Sequence, residues 1–169
     1  MRIVKLIVIS FAILFLLTTA IGMLFPSTVR VTRAVDVTAQ YDTVYKYLND
    51  AKYWKLWMAG TDSNTISFLS AKTAGRGTVV KIGTGEVTIT RTTTDSIFSI
   101  WKSAGGNVQN AAFILLNNPA KNLVTVQWYF EQHVNWYPWE RLSSLSNDKI
   151  LGPVIEESLN KLKTVLNGK

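Results

Sequence analysis

The chain has 169 residues, no cysteine and one histidine, and its 18 lysines and arginines outnumber its 11 carboxylates, for a net charge of +7. This length suits one domain, or one domain with an appendage, and the lack of cysteine excludes disulfides, thiolate nucleophiles and zinc–sulfur sites. The basic residues form no cluster of three, which favours an anionic membrane surface over nucleic acid as the electrostatic partner.

The first element is an uncharged and almost wholly apolar run at residues 6–25, LIVISFAILFLLTTAIGMLF. A helix of about 20 such residues, rising about 1.5 Å per residue, spans a hydrocarbon core of roughly 30 Å. Arg2 and Lys5 precede the run, which favours a cytoplasmic N-terminus. We therefore expect a transmembrane anchor at residues 1–26 and a domain at residues 27–169 that is exported to the periplasmic or extracellular side.

A cleaved signal peptide is the alternative interpretation of this run. The small residues of Thr18-Thr19-Ala20 form a passable cleavage site. The segment IGMLF continues the apolar run beyond that site, which is unusual for a cleavage region. The uncleaved anchor is therefore favoured.

A half-buried strand and two short helices follow the anchor. The buried face of the strand is interrupted by Arg33 and is marked by the alternating residues Val29, Val31, Val35 and Val37. The two helices are predicted on either side of a break near Asn49-Asp50. Their apolar positions recur at helical spacing: Val44, Tyr47, Leu48, Trp54, Trp57 and Met58.

The middle of the chain predicts six strands rich in valine, isoleucine, threonine and aromatic residues. Their sequences are TISFLSA, GTVVKI, GEVTITRTTT, SIFSIWKSA, AAFILLNN and LVTVQWYFEQHV. The turn signals TAGRG, GTG, TTDS, AGGN and NNPAKN separate them. Short connections of this kind are typical of an antiparallel meander.

The last element is predicted to be a long amphipathic helix with Pro153 in its first turn. Its apolar stripe consists of Leu151, Val154, Ile155, Leu159, Leu162 and Leu166. A single amphipathic helix can cover the apolar face of a curved antiparallel sheet, so the fold class is α+β. Such a helix does not fill the whole concavity, which leaves room for a ligand cavity.

This order of elements resembles the START-like helix-grip superfamily, also called SRPBCC or polyketide cyclase/dehydrase-like, and in particular bacterial members with an N-terminal membrane anchor. The matching stretches are FPSTVRVTRAVDVTA, VYKYLNDAKYWKLWM, GEVTIT, VTVQWYF and ILGPVIEESLNKLK. The resemblance implies a curved seven-stranded antiparallel sheet wrapped on the C-terminal helix, with two short helices after the first strand. It also implies that the first strand pairs with the last and that a cavity lies between sheet and helix.

Six residues are candidates for lining that cavity: Trp57, Trp101, Trp128, Phe130, Arg33 and Tyr45. The aromatic side chains would contact an apolar ligand, although aromatic residues on a sheet also serve as ordinary core. No metal-ligand spacing, serine triad or phosphate-binding loop occurs, so we expect no metal, no cofactor and no catalytic residue.

The pair Glu131 and His133 is the sharpest catalytic alternative, because residues two apart on a strand lie on the same face. Strand parity argues against it. Trp128 and Phe130 belong to the face that packs against the helix, so Glu131 and His133 are predicted to point away from the cavity.

The loop after the last strand carries Trp136, Tyr137 and Trp139, which we assign as candidate membrane-interface residues. The resemblance places the end of the last strand beside the start of the first, only a few residues after the anchor. A weak attraction to anionic headgroups would come from Arg30, Lys81, Lys102 and Arg141. Packing of the loop aromatics on the C-terminal helix is the alternative.

Together these features predict a membrane-anchored domain that binds or transfers a hydrophobic small molecule or lipid, with no nucleic-acid partner. A cyclase- or hydrolase-like enzyme is the first rival and would need polar groups such as Arg33, Tyr45 and Glu86 inside the cavity. The second rival is an interaction or stress-response module whose cavity is filled by side chains.

Overall fold

The structure is a computed structural model, and it describes residues 2–24, 26–58, 65–135, 137 and 147–168. The first element is helix α1, Arg2–Met23, which has 22 residues and is almost entirely exposed. It is long and apolar enough to cross a membrane, a property that an N-terminal signal sequence shares. The remaining described elements form an α+β domain.

Seven antiparallel strands form one curved sheet in the order β1-β7-β6-β5-β4-β3-β2. Their bounds are β1 Thr28–Val37, β2 Ile66–Phe68, β3 Val79–Ile82, β4 Gly85–Thr92, β5 Ser96–Lys102, β6 Val108–Asn118 and β7 Leu123–His133. The first strand pairs with the last, as the resemblance implied, in a register that joins Thr28 to His133 and Val37 to Val124. A β-bulge between Ile89 and Arg91 shifts the register of β4 against β5.

Helix α2, Tyr41–Asn49, a 3-10 turn at Ala51–Tyr53 and helix α3, Trp54–Trp57, follow β1. The break at Asp50 lies where the sequence predicted it, and Asp50 caps the 3-10 turn by accepting from the backbone N–H of Lys52. Their apolar residues pack into the core on the concave face of the sheet, together with the C-terminal helix. The predicted helix-grip arrangement is therefore confirmed.

The C-terminal helix, α4, extends over Asn147–Asn167. Pro153 consequently lies inside the helix and not in its first turn, so that expectation was wrong. A proline at this position provides no N–H for the carbonyl of Lys149. The preceding residue, Gly152, leaves room for Arg33, because a Cβ atom at this position would collide with the Nη2 atom of the Arg33 guanidinium.

One end of the sheet, which we call the anchor-side rim, collects the start of β1, the end of β7 and the turns at residues 83–85 and 103–107. The backbone N–H of Val134 donates to the carbonyl of Ser27 at 2.8 Å, which extends the β1–β7 ladder towards α1. Only four residues separate the last residue of α1, Met23, from the first residue of β1, Thr28. The rim is therefore the end of the domain that the chain ties to α1.

Candidate functional site

Six aromatic rings form a continuous cluster on the concave face of the sheet: Trp54, Trp57, Trp101, Phe113, Trp128 and Phe130. Trp128 is at the centre and contacts Phe113 and Phe130 at centroid distances of 4.9 and 5.1 Å. Tilted and edge-to-face contacts of this kind add to the stability from burial alone, by about 0.5–1.5 kcal/mol per pair. The four aromatic residues predicted to line a cavity therefore lie together and pack on one another.

The indole N–H groups of this cluster divide into two kinds. Trp54 donates to the carbonyl of Leu48 at 2.9 Å, Trp57 donates to the carbonyl of Tyr47 at 3.3 Å, and Trp101 donates to the hydroxyl of Ser99 at 3.0 Å. Trp128, by contrast, is only 2% exposed, and within the described part of the chain its Nε1 has no acceptor. Leaving a buried donor unpaired costs about 1–3 kcal/mol.

A cavity of about 290 Å³ opens at the anchor-side rim. Trp101 belongs to both the ring cluster and the wall of this rim cavity, and it is half-buried. The other lining residues are small or polar: Thr84, Gly85, Lys102, Ser103, Ala104, Asn107 and Gln109. The Gln109 amide donates to the Gln132 amide oxygen at 3.2 Å. The rim cavity thus combines one aromatic wall with hydrogen-bonding amides.

The two polar candidates lie away from this opening. Arg33 is on the concave face, and its guanidinium forms an ion pair with Asp148 at 2.9 Å and donates to the carbonyl of Thr32. Tyr45 donates its hydroxyl to the carbonyl of Thr93 at 2.8 Å. That carbonyl belongs to the β4–β5 turn, at the opposite end of the sheet from the rim. The structure therefore does not bring Tyr45 to the ring cluster.

The convex face carries the residues that parity assigned to it. Glu131 pairs with Arg30, whose guanidinium lies 4.3 Å from the ring centroid of Tyr129, and His133 is exposed on the same face. The outward orientation of Glu131 and His133 is confirmed. The next residue along β4, Val87, lies on the concave face and pairs with Trp101 of β5. Because successive strand residues point to opposite faces, Glu86 faces outward. Its proposed place inside the cavity was wrong.

Two of the three candidate interface residues, Trp136 and Trp139, lie outside the described residues, as does Arg141. Tyr137 is described and is 36% exposed. The exposed apolar residue Val108 begins β6 at the same rim. Val108 therefore presents apolar surface to solvent at the rim, and Tyr137, four positions after the last residue of β7, is also exposed.

The sequence argument missed Trp54, Phe113 and Gln109. Parity along β6 places the last two on one face with Ala111 and Leu115, but the intervening Ala112 and Ile114 are also apolar, so the pattern did not mark this face. Trp54 follows the same helical spacing as Trp57 but was treated only as core. The small side chains of Ser99 and Ala111, paired across β5 and β6, lie on the concave face among these larger residues.

Two titratable groups lie close together at the far end of the sheet, Tyr41 at the start of α2 and Asp95 in the β4–β5 turn. Burial, and secondarily the Asp95 carboxylate, raises the pKa of Tyr41. Hydrogen bonds from Thr93 and then from Ser96 hold the pKa of Asp95 below its usual range. Within the described residues no group of three or more metal-ligating side chains lies together. Neither observation adds a catalytic group to the ring cluster.

No protein-family model matches the sequence, and no curated protein matches it. Solved structures do share its fold. A protein from Nitrosospira multiformis superposes with a TM-score of 0.65 at 12% identity, covering 82% of this chain and 96% of its own. A Thermobifida fusca protein gives 0.63 at 14% identity, with 81% and 92% covered. CalU16 from Micromonospora echinospora gives 0.57 at 13% identity, with 83% of each chain covered. At these identities the likeness shows the fold alone: a small α+β protein with a seven-stranded antiparallel sheet and a C-terminal helix.

Proposed function

We propose that this chain is a single-pass membrane protein whose exported domain, residues 27–169, is a member of the SRPBCC/START-like superfamily and binds a hydrophobic small molecule or lipid. The observation that carries the proposal is the rim cavity, whose aromatic wall, Trp101, is continuous with the ring cluster. Apolar walls with a few polar groups that fix orientation are the usual composition of ligand sites.

The size of the cavity limits the ligand. A volume of about 290 Å³ lies at the lower end of the range for ligand pockets, which is roughly 300–1,000 Å³. The site accordingly takes a compact apolar molecule, or one end of a longer lipid whose remainder stays in the membrane. Rings of the cluster fill much of the concave face deeper in the domain, so a fully enclosed long chain is not part of the proposal.

The location of the rim supports ligand exchange with a bilayer. The five peptide steps from Met23 to Thr28 span at most about 18 Å, so an inserted α1 holds the rim close to the membrane surface. Within α1 the hydroxyls of Thr18 and Thr19 donate to carbonyls one turn earlier, those of Leu14 and Phe15. These two hydroxyls are thereby satisfied within the helix, as a hydrocarbon environment requires of polar groups. Tyr137 and Val108 would contact the interface.

The test is mass spectrometry of small molecules extracted from the full chain purified out of membranes, combined with transfer of fluorescent lipids between liposomes. We expect an apolar compound enriched over a control membrane protein, or protein-dependent transfer. Absence of both would overturn the binding function. Cysteine substitutions in the domain, probed with a membrane-impermeant thiol reagent, give the topology, because the chain has no cysteine of its own.

The close packing of the rings favours a second candidate function, that of an interaction module whose interior is filled by side chains. In the described cluster each ring contacts at least two others within 6.4 Å. In that case small apolar probes would not bind, and a protein partner would be recovered by crosslinking in intact membranes. An enzyme is less well supported, because Glu86 faces outward and Arg33 is paired with Asp148.

A further inference from the structure

Trp128 is the one tryptophan of the ring cluster whose buried indole N–H has no acceptor among the described residues. We propose that Trp128 Nε1 donates a hydrogen bond to a ligand oxygen, so that the molecule bound by this domain is an apolar compound with a neutral acceptor such as a ketone or ester carbonyl. This inference rests on the proposed function and adds the chemical class of the ligand.

The register explains why the protein itself supplies no acceptor. On the concave face the cross-strand neighbours of Trp128 are Arg33 in β1 and Phe113 in β6. The adjacent residues of the same face along β7 are Val126 and Phe130. An arginine carries only donors, and the other three side chains carry no polar atom. The sheet neighbours of Trp128 therefore supply no acceptor for its N–H group.

The surroundings of the indole select a neutral oxygen over a charged one. Trp57, Trp101, Phe113 and Phe130 all lie within 6.0 Å of the Trp128 ring, centroid to centroid. An ionised carboxylate placed among these rings would lose its hydration without a counter-ion, which costs far more than burial of a carbonyl. The nearby cation, Arg33, already has Asp148 as its partner.

Trp101 connects the unpaired donor to the outside. Its ring lies 6.0 Å from that of Trp128, lines the rim cavity and is fixed by one hydrogen bond, to the hydroxyl of Ser99. A ligand that enters from the rim meets Trp101 first. The proposal requires that a change in the side-chain rotamer of Trp101 lets the ligand's oxygen reach Trp128.

The experiment uses two bicyclic probes of nearly the same shape, 2-acetylnaphthalene, which has a carbonyl acceptor, and 2-ethylnaphthalene, which has none. Binding of each to the full chain in lipid nanodiscs is measured by equilibrium dialysis, with empty nanodiscs giving the partition into lipid. We expect wild-type protein to bind the acetyl probe about fivefold to tenfold more tightly after this correction, the effect of one net hydrogen bond.

Two matched variants separate the donor from the ring. Trp128→Phe removes the unpaired donor and should abolish the preference for the acetyl probe. Trp57→Phe makes the same change on a neighbouring ring whose N–H already has an acceptor, so it should retain the preference. Because either variant can lose its fold, the indole ¹⁵N–¹H resonance of Trp128 in wild-type protein is followed as well. It should move downfield with the acetyl probe and not with the ethyl probe.

Each outcome has one meaning. Binding of both probes with equal affinity, a preference that persists in Trp128→Phe, or an unmoved Trp128 resonance overturns the inference and leaves the proposed function standing. Failure of both probes to bind wild-type protein overturns this inference, whereas the proposed function is overturned only if the membrane extract and the lipid-transfer assay are negative as well. A ligand from the membrane extract that lacks any oxygen acceptor overturns the inference alone.

Discussion

Two buried indoles in the same cluster differ in one atom's environment, and that difference predicts their contributions to stability. Trp57 donates to the Tyr47 carbonyl, whereas Trp128 finds no acceptor in the ranges that the structure describes. Replacing either by phenylalanine removes the same volume, but only Trp57→Phe removes a hydrogen bond that the structure contains. We expect Trp57→Phe to lower the free energy of unfolding by about 1 kcal/mol more than Trp128→Phe. Denaturant unfolding of the ligand-free full chain in detergent measures both.

If the two variants lose equal free energy of unfolding, the Trp128 N–H is satisfied in solution, for example by a water molecule. A greater loss for Trp128→Phe would contradict the unpaired state altogether. Trp54→Phe provides a further comparison, because its donor bond to the Leu48 carbonyl is shorter, at 2.9 Å. It should behave like Trp57→Phe.

A second prediction at the scale of single residues concerns the contact between Gly152 and Arg33. An alanine at 152 gains about 1 kcal/mol of helix stability over glycine. Its Cβ would, however, displace the Arg33 guanidinium from its position beside Asp148. We expect Gly152→Ala to stabilise an Arg33→Ala protein by about 1 kcal/mol but to stabilise wild-type protein by clearly less. A double-mutant cycle on the urea unfolding midpoints gives the coupling free energy between residues 152 and 33. If the effects of Gly152→Ala and Arg33→Ala on stability are strictly additive, the contact is refuted.

At the scale of elements, the β4–β5 turn fastens α2 to the sheet. Tyr41 and Tyr45 donate their hydroxyls to the carbonyls of Thr94 and Thr93, both at 2.8 Å. Asp95 orders the same turn by accepting from the hydroxyls of Thr93 and Ser96 at 2.8 and 3.0 Å. The turn therefore determines how the helix lies across the far end of the concave face.

The lowered pKa of Asp95 makes this fastening sensitive to acid. A carboxyl whose pKa is depressed by folding stabilises the fold above its unfolded value of about 3.9, and this contribution is lost as the pH falls through the folded pKa. We expect Asp95→Asn to lower the unfolding midpoint at neutral pH and to match wild-type protein at about pH 2. In Asp95→Asn the pKa of Tyr41 should also fall part of the way towards its ordinary value. Burial still raises this pKa in the variant, but the Asp95 carboxylate no longer does. A pH-independent difference between the two proteins would exclude the carboxylate as the cause.

Local patterns predicted most of these elements, but not how the elements contact one another. Two-residue alternation along β7 correctly separated Trp128 from His133, because each strand residue follows the same pleat. The start of α4 was misjudged, because Pro153 marks a preferred first-turn position and no pattern revealed that the helix begins at Asn147. Sequence spacing also could not show that Tyr45 bonds to a turn 48 residues away, since that depends on how α2 packs.

At the scale of the whole molecule, the sheet has one end tied to α1 and one end held by the β4–β5 turn. The rim cavity is at the first end, and the ring cluster lies between that cavity and the far end. The unpaired N–H of Trp128 became visible only when strand register and helix packing were known together. The ring cluster and the rim cavity take their residues from α3, β4, β5, β6 and β7, so no single segment of the sequence could reveal them.

Orientation of the rim towards the bilayer can be tested with two positions on one strand. Val108 and Leu116 are exposed residues near opposite ends of β6 and share the same face. Eight residue steps along the strand place them roughly 26 Å apart. Because the chain has no cysteine, Val108→Cys and Leu116→Cys each give one labelling site. In proteoliposomes we expect a nitroxide at 108 to be accessible to lipid-soluble oxygen and one at 116 to a water-soluble nickel chelate. Equal accessibility at both positions, or the reverse order, would contradict a rim that faces the membrane.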